Sequence, residues 1–431
     1  MTSREENELL TQVGPGTPMG ELMRRYWQPA GLVEELAARA PVPTRLLGED
    51  LVLFRDDQGR PGLLGIHCSH RGADLSYGRI EDGGLRCIYH GWLYDARGRC
   101  LEQPGEPAGS TFQEKIQHPA YPCIEKAGVI FAYLGPGAPP LLPAYEFLEA
   151  PEGQHGSSKV FQDSNYLQGN EGNLDPSHLS FLHRLAVDDT EAGIRQFLNG
   201  QYTSPHIETE TTDFGVRIYA VRPGGVDKNY VRVTNFVLPN FAAVAGHRDG
   251  YSVNWHVPID DEHHWRFGIS FHRSAGPARW QSAIPGAGQA DRTEGYYLVR
   301  NKANRYQQDR EEMKAKSFIG MGANFVVHDT CATEGPGNIQ DRTEEHLGYT
   351  DGGIMASRKV LLDAIRDVQE GHDPPHVIRD PSQNHLEHLF VRNDVLLPSD
   401  VDWHNYWEKE PRELVDTADL AAAGGRRRLA E

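Results

Sequence analysis

Two short motifs near the N-terminal end each supply one thiolate and one imidazole. They are Cys68-Ser-His70 and Cys87-Ile-Tyr-His90. In a [2Fe-2S] centre, two cysteines on one iron and two histidines on the other raise the reduction potential above that of an all-cysteine cluster. The reason is that neutral imidazoles replace anionic thiolates. The pattern therefore predicts a mixed-ligand [2Fe-2S] cluster, which transfers single electrons.

A structural zinc is the alternative for the same four residues, because zinc also accepts two cysteines and two histidines. Zinc motifs usually pair Cys with Cys and His with His, so the mixed pairing favours the iron–sulfur interpretation. Neighbouring glycines permit tight turns through which backbone N–H groups reach the cluster sulfurs. No disulfide framework is expected, and the other cysteines are predicted to be small buried residues: Cys100, Cys123 and Cys331.

A second group of metal-binding residue types follows later, at Asp175, His178 and His183. A non-haem Fe(II) that activates O2 takes two histidines and one carboxylate on one face and keeps the other face open. Residues five apart on a regular α-helix point about 140° away from each other. An irregular or π-type turn is therefore needed to bring the histidines together. From the residues alone, the histidines can also be core or capping residues, and Asp175 before Pro176 can be an N-cap.

The elements that must position these groups fall into two units, as expected for 431 residues. Residues 44–135 alternate short strands and turns, which predicts an all-β unit around the cluster motifs. Residues 1–43, with helical periodicity over 5–36, are expected to pack as N-terminal helices with the second unit. A proline-rich segment, 135–143, can continue neither a ladder nor a helix, and the catalytic domain 144–431 is predicted to follow it.

The second unit is predicted to be α+β. Its long strands and intervening turns favour an antiparallel meander, with strands at 206–210, 216–222, 230–238, 251–258 and 265–272. Helical periodicity predicts helices that cover one face of this sheet, at 165–183, 296–316 and 355–370.

Composition excludes several classes of function. A formal charge of −18 lacks the basic footprint that nucleic-acid binding requires. The sequence has neither an apolar run of bilayer length nor a signal peptide, so a cytoplasmic protein without membrane contact is expected. Its glycines form no G-x-G-x-x-G between a strand and a helix, so the electrons must come from another protein.

Residues 68–92 resemble, over their whole length, the Rieske fingerprint of aromatic ring-hydroxylating oxygenases. Residues 170–183 resemble the catalytic motif of the same family, and residues 327–351 resemble the C-terminal signature of its phthalate dioxygenase-like branch. The resemblance implies an all-β Rieske domain with a [2Fe-2S] cluster. It also implies a helix-grip catalytic domain, an antiparallel sheet with covering helices, that holds a mononuclear non-haem Fe(2+).

The resemblance also assigns roles to single residues. His178 and His183 would bind the mononuclear iron, with Asp329 as the third ligand and Asp351 as the alternative. Without the resemblance, Asp329 can equally be a helix-capping or first-turn residue, which the helix dipole favours. Asp175 would be the catalytic bridge between the two metal centres.

Relatives of this kind are homotrimers, sometimes stacked further, and Asp175 would join His178 to His90 of the partner subunit. A separate flavin/iron–sulfur reductase that oxidises NAD(P)H would supply the electrons, and O2 would be the second substrate. The resemblance implies hydroxylation, dihydroxylation or O-demethylation of an aromatic carboxylate such as a phthalate or methoxybenzoate.

An anionic substrate of an acidic protein needs local cations. The predicted strands offer four substrate-binding candidates, which can equally be surface charges: Arg217, Arg222, Arg232 and Arg266. Two alternatives remain for the function. One is a Rieske monooxygenase that acts on a non-aromatic or N-alkyl substrate with the same metal ligands. The other is a Rieske electron-transfer protein without catalysis.

Overall fold

The computed structural model describes residues 2–38, 40–185, 203–224, 226–247, 250–273, 291–385 and 395–404. Parts of the predicted catalytic domain 144–431 therefore lie outside the described residues. Within them, buried apolar side chains form a large core and a smaller one around the cluster motifs. No helix in these ranges is long and apolar enough to cross a bilayer.

The N-terminal segment forms α1 (Arg4–Thr11), α2 (Pro18–Arg24) and β1 (Trp27–Leu32). Ser3 and Glu6 form a capping box at α1, and Thr17 caps α2 ahead of a proline in its first turn. The helical prediction for 5–36 is therefore wrong beyond α2. There the chain pairs with residues 129–133 as a strand, and this tertiary pairing outweighs the local periodicity.

The smaller core lies between two four-stranded sheets, β2-β3-β4-β9 and β5-β6-β7-β8, and a third sheet has the order β1-β11-β10. The all-β character predicted for this region is confirmed. The strand bounds are β2 (Val42–Leu46), β3 (Glu49–Arg55), β4 (Pro61–Gly65), β5 (Arg79–Glu81), β6 (Gly84–Arg86), β7 (Leu93–Tyr94), β8 (Cys100–Glu102), β9 (Ala120–Tyr121), β10 (Cys123–Lys126) and β11 (Val129–Tyr133). Strand β11 belongs to the large core, and the boundary between the domains stays a prediction.

The catalytic unit is built on one sheet with the order β12-β18-β17-β16-β15-β14-β13, and β19 also pairs with β15. Its strands are β12 (His155–Gln162), β13 (His206–Thr211), β14 (Gly215–Pro223), β15 (Lys228–Val237), β16 (Phe241–His247), β17 (Gly250–Pro258), β18 (His264–His272) and β19 (Val395–Pro398). Successive strands from β13 to β18 are antiparallel neighbours, so the predicted meander is confirmed. Strands β12, β16 and β19 escaped prediction.

The helices of this unit are α3 (Glu146–Glu149), α4 (Tyr166–Leu174), α5 (Glu312–Ala315), α6 (Phe325–Glu334) and α7 (Gly352–Gln369). The prediction at 355–370 is confirmed by α7. The prediction at 296–316 is wrong, because Arg305 and Tyr306 have φ of 53° and 54°, which a right-handed helix cannot include. Helix α4 packs against β15 to β18, and α7 packs against β13 and β14, so both helices cover the sheet.

Candidate active site and cluster site

The two cluster motifs form the same type of loop. In the first, the N–H of Gly72 donates to the carbonyl of Cys68 at 2.8 Å, and in the second Gly91 donates to Cys87 at 3.0 Å. Both glycines have φ of 73°, a conformation that strains other residues. Each loop therefore closes four residues after its cysteine and presents the histidine between them.

The four predicted cluster ligands point in two directions. Cys68 and Cys87 are buried and their sulfurs interact, whereas His70 and His90 are exposed. The two imidazole rings lie 4.5 Å apart between centroids. A cysteine pair on the inside and a histidine pair on the outside fit a [2Fe-2S] group with unlike ends.

Two aromatic residues support this arrangement. The ring of Trp92 stacks on His70 at 4.4 Å with an interplanar angle of 8°, and the hydroxyl of Tyr94 lies 3.2 Å from Sγ of Cys68. Burial and the neighbouring Cys68 raise the pKa of Tyr94 far above its ordinary value. The phenol therefore stays protonated and can donate to a cysteine thiolate.

We expect Tyr94→Phe to lower the reduction potential of the cluster by tens of millivolts, on the order of a weak hydrogen bond. The reduced cluster carries one more negative charge, so a donor to its sulfur stabilises the reduced form more. A redox titration followed by circular dichroism or EPR measures the shift. Tyr121→Phe is the matched control, because that hydroxyl bonds to Glu49 instead. An unchanged reduction potential in Tyr94→Phe would show that the Tyr94 hydroxyl does not stabilise the reduced cluster.

Three potential metal ligands converge in the catalytic unit. Donor atoms of His178, His183 and Asp329 all lie within 4.8 Å of one another. Nε2 of His183 is 3.2 Å from Nε2 of His178 and 2.9 Å from Oδ1 of Asp329. Two imidazoles and one carboxylate form the set expected for a mononuclear Fe(II) that keeps positions open.

An irregular turn brings the two histidines together, as the spacing requires. Helix α4 ends at Leu174, Asp175 is extended, and a short 3-10 turn covers His178–Ser180. Oδ1 of Asp175 accepts the N–H of Ser177 at 2.7 Å, so this carboxylate forms an Asx turn that leads into the 3-10 turn. Arg222 donates to the carbonyl of Pro176 at 2.9 Å and fixes the same segment.

Hydrogen bonds at Nδ1 orient both histidines for metal binding. Nε2 of the buried His328 donates to the carbonyl of Gly322 at 3.0 Å, and burial lowers the pKa of His328 to about 4. Nδ1 of this neutral ring is thus an acceptor, and Nδ1 of His183, 3.2 Å away, must carry the proton. The backbone of Asp175 bonds to His178, and Oδ2 of Asp175 lies 3.8 Å from its Nδ1. In both rings Nδ1 is therefore engaged away from Asp329, and Nε2 is the nitrogen that faces the group of potential ligands.

Asp329 lies in the middle of α6, and Asn324 caps that helix, so Asp329 has no capping role. Burial alone would raise the pKa of Asp329, but the charge and hydrogen bond of His183 hold it well below its usual range. The carboxylate is therefore ionised. Asp351 lies elsewhere, at the N-terminus of α7, where its Oδ2 accepts the N–H of Gly348 at 2.6 Å.

A cavity of about 210 Å³ opens beside this group, lined in part by His178, Asp329 and Arg266. Of the four predicted arginines, Arg266 lines this cavity. The others have partners elsewhere: Arg217 pairs with Glu210 at 2.8 Å, Arg222 holds Pro176, and Arg232 donates to Ala245 at 2.6 Å.

Sequence reasoning missed the residues that orient this site. His328 adjoins Asp329 in the chain, yet its contact with His183 is tertiary and leaves no spacing signal. The same holds for a set of hydrogen-bonded polar residues at the wall of the cavity and behind it: Asn173, Asn254, His256 and His264.

Two family descriptions cover most of the chain. Residues 26–121 match the Rieske [2Fe-2S] domain, and residues 132–420 match the LigXa C-terminal domain like family. The first match confirms the [2Fe-2S] prediction and excludes the zinc alternative. Mononuclear non-haem iron is the second cofactor of such oxygenases.

Relatives that match over most of their length support the same family assignment. The chain is 33% identical to the phthalate 4,5-dioxygenase oxygenase subunit of Pseudomonas putida, over 97% of this chain and 99% of the relative. It is 34% identical to the 5,5'-dehydrodivanillate O-demethylase oxygenase subunit of Sphingobium sp. (strain NBRC 103272 / SYK-6), over 89% and 85%. The fold matches the reduced complex between oxygenase and ferredoxin in carbazole 1,9a-dioxygenase, with a TM-score of 0.54 and 20% identity, over 89% of this chain and 97% of that chain.

These matches confirm the α+β fold with a Rieske domain and a helix-grip catalytic domain, and they place the chain among oxidoreductases that consume O2. A function limited to electron transfer is thereby excluded. The chain belongs to the Rieske non-haem iron ring-hydroxylating oxygenases, as an oxygenase component of the phthalate dioxygenase-like branch.

Proposed function

We propose that this protein is a terminal oxygenase that oxidises an aromatic carboxylate in the cavity beside His178 and Asp329. The observation that carries the proposal is the position of Arg266. Its guanidinium lines the cavity, and the nearest carboxylate among the described residues, Oδ2 of Asp329, is 4.0 Å from Nη2. That separation is too long for a hydrogen-bonded ion pair.

Charge in the cavity supports an anionic substrate. Of the four carboxylates that line the cavity, Glu171 and Glu345 already pair with Arg342 and Arg358 at 2.9 and 2.6 Å. The other two, Asp175 and Asp329, each lie 3.8 Å from His178. Arg266 is the one arginine or lysine among the described residues that line it. Nη1 of Arg266 is buried without a hydrogen-bond partner in the described part of the chain. A substrate carboxylate supplies the acceptor that Nη1 lacks.

We assign the cluster to Cys68, Cys87, His70 and His90. The mononuclear iron is assigned to the triad defined as His178, His183 and Asp329. When bound, the iron supplies O2 activation with electrons that arrive one at a time through the cluster. The protein's own residues keep the carboxylate of Asp329 ionised and turn Nε2 of both histidines toward it. Arg266 orients the carboxylate of the substrate, and the cavity walls confine the substrate.

Electron transfer between subunits is the second part of this proposal. The exposed rings of His70 and His90 are flanked by exposed apolar side chains, with Ile88 59% and Tyr89 56% accessible. Such a surface is typical of an interface. The side chain of Asp175 is 24% accessible beside His178, so it can reach a docked neighbour. We therefore propose a head-to-tail homotrimer in which Asp175 joins His178 to His90 of the partner subunit.

The donor of electrons to the cluster is proposed to be a separate flavin/iron–sulfur reductase that oxidises NAD(P)H. The carbazole oxygenase with the matching fold forms a complex with a ferredoxin. A small redox protein is therefore a reasonable partner class for the exposed cluster histidines.

The reaction is tested by product analysis. The purified protein, a reductase, NADH and 18O2 are incubated with a panel of benzoates, phthalates and methoxybenzoates, and the products are identified by mass spectrometry. We expect 18O in the product of at least one aromatic acid. Oxidation restricted to non-aromatic or N-alkyl compounds would favour the alternative monooxygenase function.

Arg266→Met should raise the KM for the oxidised acid by about 10- to 100-fold, the effect of losing a hydrogen bond to a charged group. The KM for the primary amide of the same acid should change little. Arg217→Met is the matched control, since Arg217 pairs with Glu210 outside the cavity. Equal effects on acid and amide, with iron content unchanged, would contradict carboxylate recognition by Arg266.

A further inference from the structure

From the wall of the cavity inward, a line of polar side chains connects Arg266 to the backbone of Ser164. Arg266 and Asn173 are partly buried, and the other side chains of the line are buried. Four of its residues lie on one face of neighbouring strands. His256 on β17 is directly opposite Arg266 on β18, with Asn254 and His264 two positions away on their strands. Asn173 on α4 completes the line, because its side chain contacts both Asn254 and His256.

The hydrogen bonds of this line all run in one direction. A carbonyl can only accept, so Nδ1 of His264 donates to the carbonyl of Ser164 at 2.6 Å. Nε2 of His264, in a neutral ring, then accepts from Nδ1 of His256 at 2.9 Å. Nε2 of His256 in turn accepts from Nδ2 of Asn173 at 2.7 Å.

The direction continues to the guanidinium. Nδ2 of Asn173 also donates to the carbonyl of Gly169 at 2.8 Å, which fixes the orientation of the amide. Oδ1 of Asn173 accepts from Asn254 at 2.6 Å. Oδ1 of Asn254 accepts from Nε and Nη2 of Arg266 at 3.2 and 2.9 Å. Every link has one donor and one acceptor, so reversing one link would break its neighbours.

Two further observations support this arrangement: the residues of the line are closely packed, and both histidines are neutral. A Cβ on Gly169 would lie 2.3 Å from Nδ1 of His256 and 2.8 Å from Nε2 of His264, so a larger residue there would push the rings apart. Burial, and then its neighbours His264 and Arg266, lower the pKa of His256 well below its ordinary value. Burial likewise lowers the pKa of His264 to about 3. Both rings are neutral, as the direction of the bonds requires.

We propose that Asn254, Asn173, His256 and His264 are positioning residues that lock the guanidinium of Arg266 in the orientation that recognises a substrate carboxylate. This inference rests on the proposed function of Arg266. Because Nε and Nη2 are held by Asn254, the guanidinium cannot rotate toward Asp329 and form a close ion pair with it. Its charge stays available to the substrate, and the carboxylate of Asp329 stays available to the metal.

The proposal is tested by binding, which does not require turnover. Titration calorimetry on the iron-loaded protein measures the affinity for benzoate and for benzamide, and the ratio of the two affinities is compared among variants. Arg266→Met should reduce the benzoate-to-benzamide ratio by about 10- to 100-fold. Asn254→Leu and Asn173→Leu should reduce it by about 3- to 30-fold, although they leave the arginine in place.

Asn240→Leu is the matched control. Asn240 is a fully buried amide of the same sheet, but its hydrogen bonds go to Gln28, Trp255 and the backbone of His256. Its loss should lower the melting temperature and leave the ratio within about twofold of wild type. A wild-type ratio in folded Asn254→Leu and Asn173→Leu, with a reduced ratio in Arg266→Met, would overturn the positioning role alone. A wild-type ratio in Arg266→Met would overturn carboxylate recognition itself.

Discussion

His183→Ala and His178→Ala should each abolish oxygenation while the visible spectrum of the cluster stays unchanged. Both Nε2 atoms face Oδ1 of Asp329, so either substitution leaves the triad with two ligands. Loss of an outer-shell partner of a metal typically costs 10- to 100-fold. Loss of a direct ligand should therefore lower product formation by more than about 100-fold. The cluster loops belong to a separate apolar core, so their metal content should not change.

The matched control is His155→Ala, which removes a half-buried histidine of β12 outside both metal sites. It should retain most of the activity. Product formation near the wild-type rate in either His178→Ala or His183→Ala would show that the substituted histidine is not an iron ligand. Loss of the cluster spectrum in the same variants would instead indicate general misfolding.

Two inactive variants should restore activity to each other when their chains are mixed in one trimer. Cys87→Ala lacks the cluster and His178→Ala lacks the catalytic iron. In a head-to-tail ring, a cluster serves the iron of the next subunit. In every mixed trimer, one of the three interfaces pairs an intact cluster with an intact iron, so purified mixed trimers should reach about a third of the wild-type rate. Separate affinity tags on the two chains allow mixed trimers to be isolated and assayed.

Each variant expressed alone should be inactive and serves as the baseline. Asp175→Asn should load both metals and assemble, yet lose most of its coupled turnover, because the amide cannot accept hydrogen bonds from two histidines as the carboxylate does. Asp351→Asn changes a carboxylate at the start of α7 and should stay active. Mixed trimers that remain inactive, despite confirmed assembly and metal content, would show that transfer occurs within one chain.

Local pattern was sufficient to predict most of the fold. Strand-like segments separated by turns located β13, β14, β15, β17 and β18 of the meander, and apolar periodicity located α1 and α2. The pattern failed where distant residues decide the conformation. Residues 27–32 form a strand only because β11 supplies its hydrogen-bond partners. The left-handed Arg305 and Tyr306 interrupt a segment whose periodicity reads as helical.

The cysteine and histidine ligands were visible in the sequence because their spacing is short, whereas Asp329 was assigned only through the family resemblance. Cys68 and His70 belong to one loop, and an irregular turn joins His178 to His183. The environment of the site was not visible. Which strand arginine faces the cavity depends on the twist of the sheet and on the packing of α4. Only the fold shows that Arg266 lies beside Asp329 whereas Arg217 pairs with Glu210.

The central claim is that this chain holds a mononuclear iron at the triad in addition to its cluster. Iron quantitation combined with EPR after adding nitric oxide to the reduced protein tests it most directly, because nitric oxide binds Fe(II) that has an open coordination position. We predict about three irons per chain, two in the cluster and one mononuclear, and an iron–nitrosyl signal beside that of the cluster. His183→Ala should lower the content to about two and remove only the nitrosyl signal. A wild-type protein with about two irons per chain and no nitrosyl signal would contradict the claim.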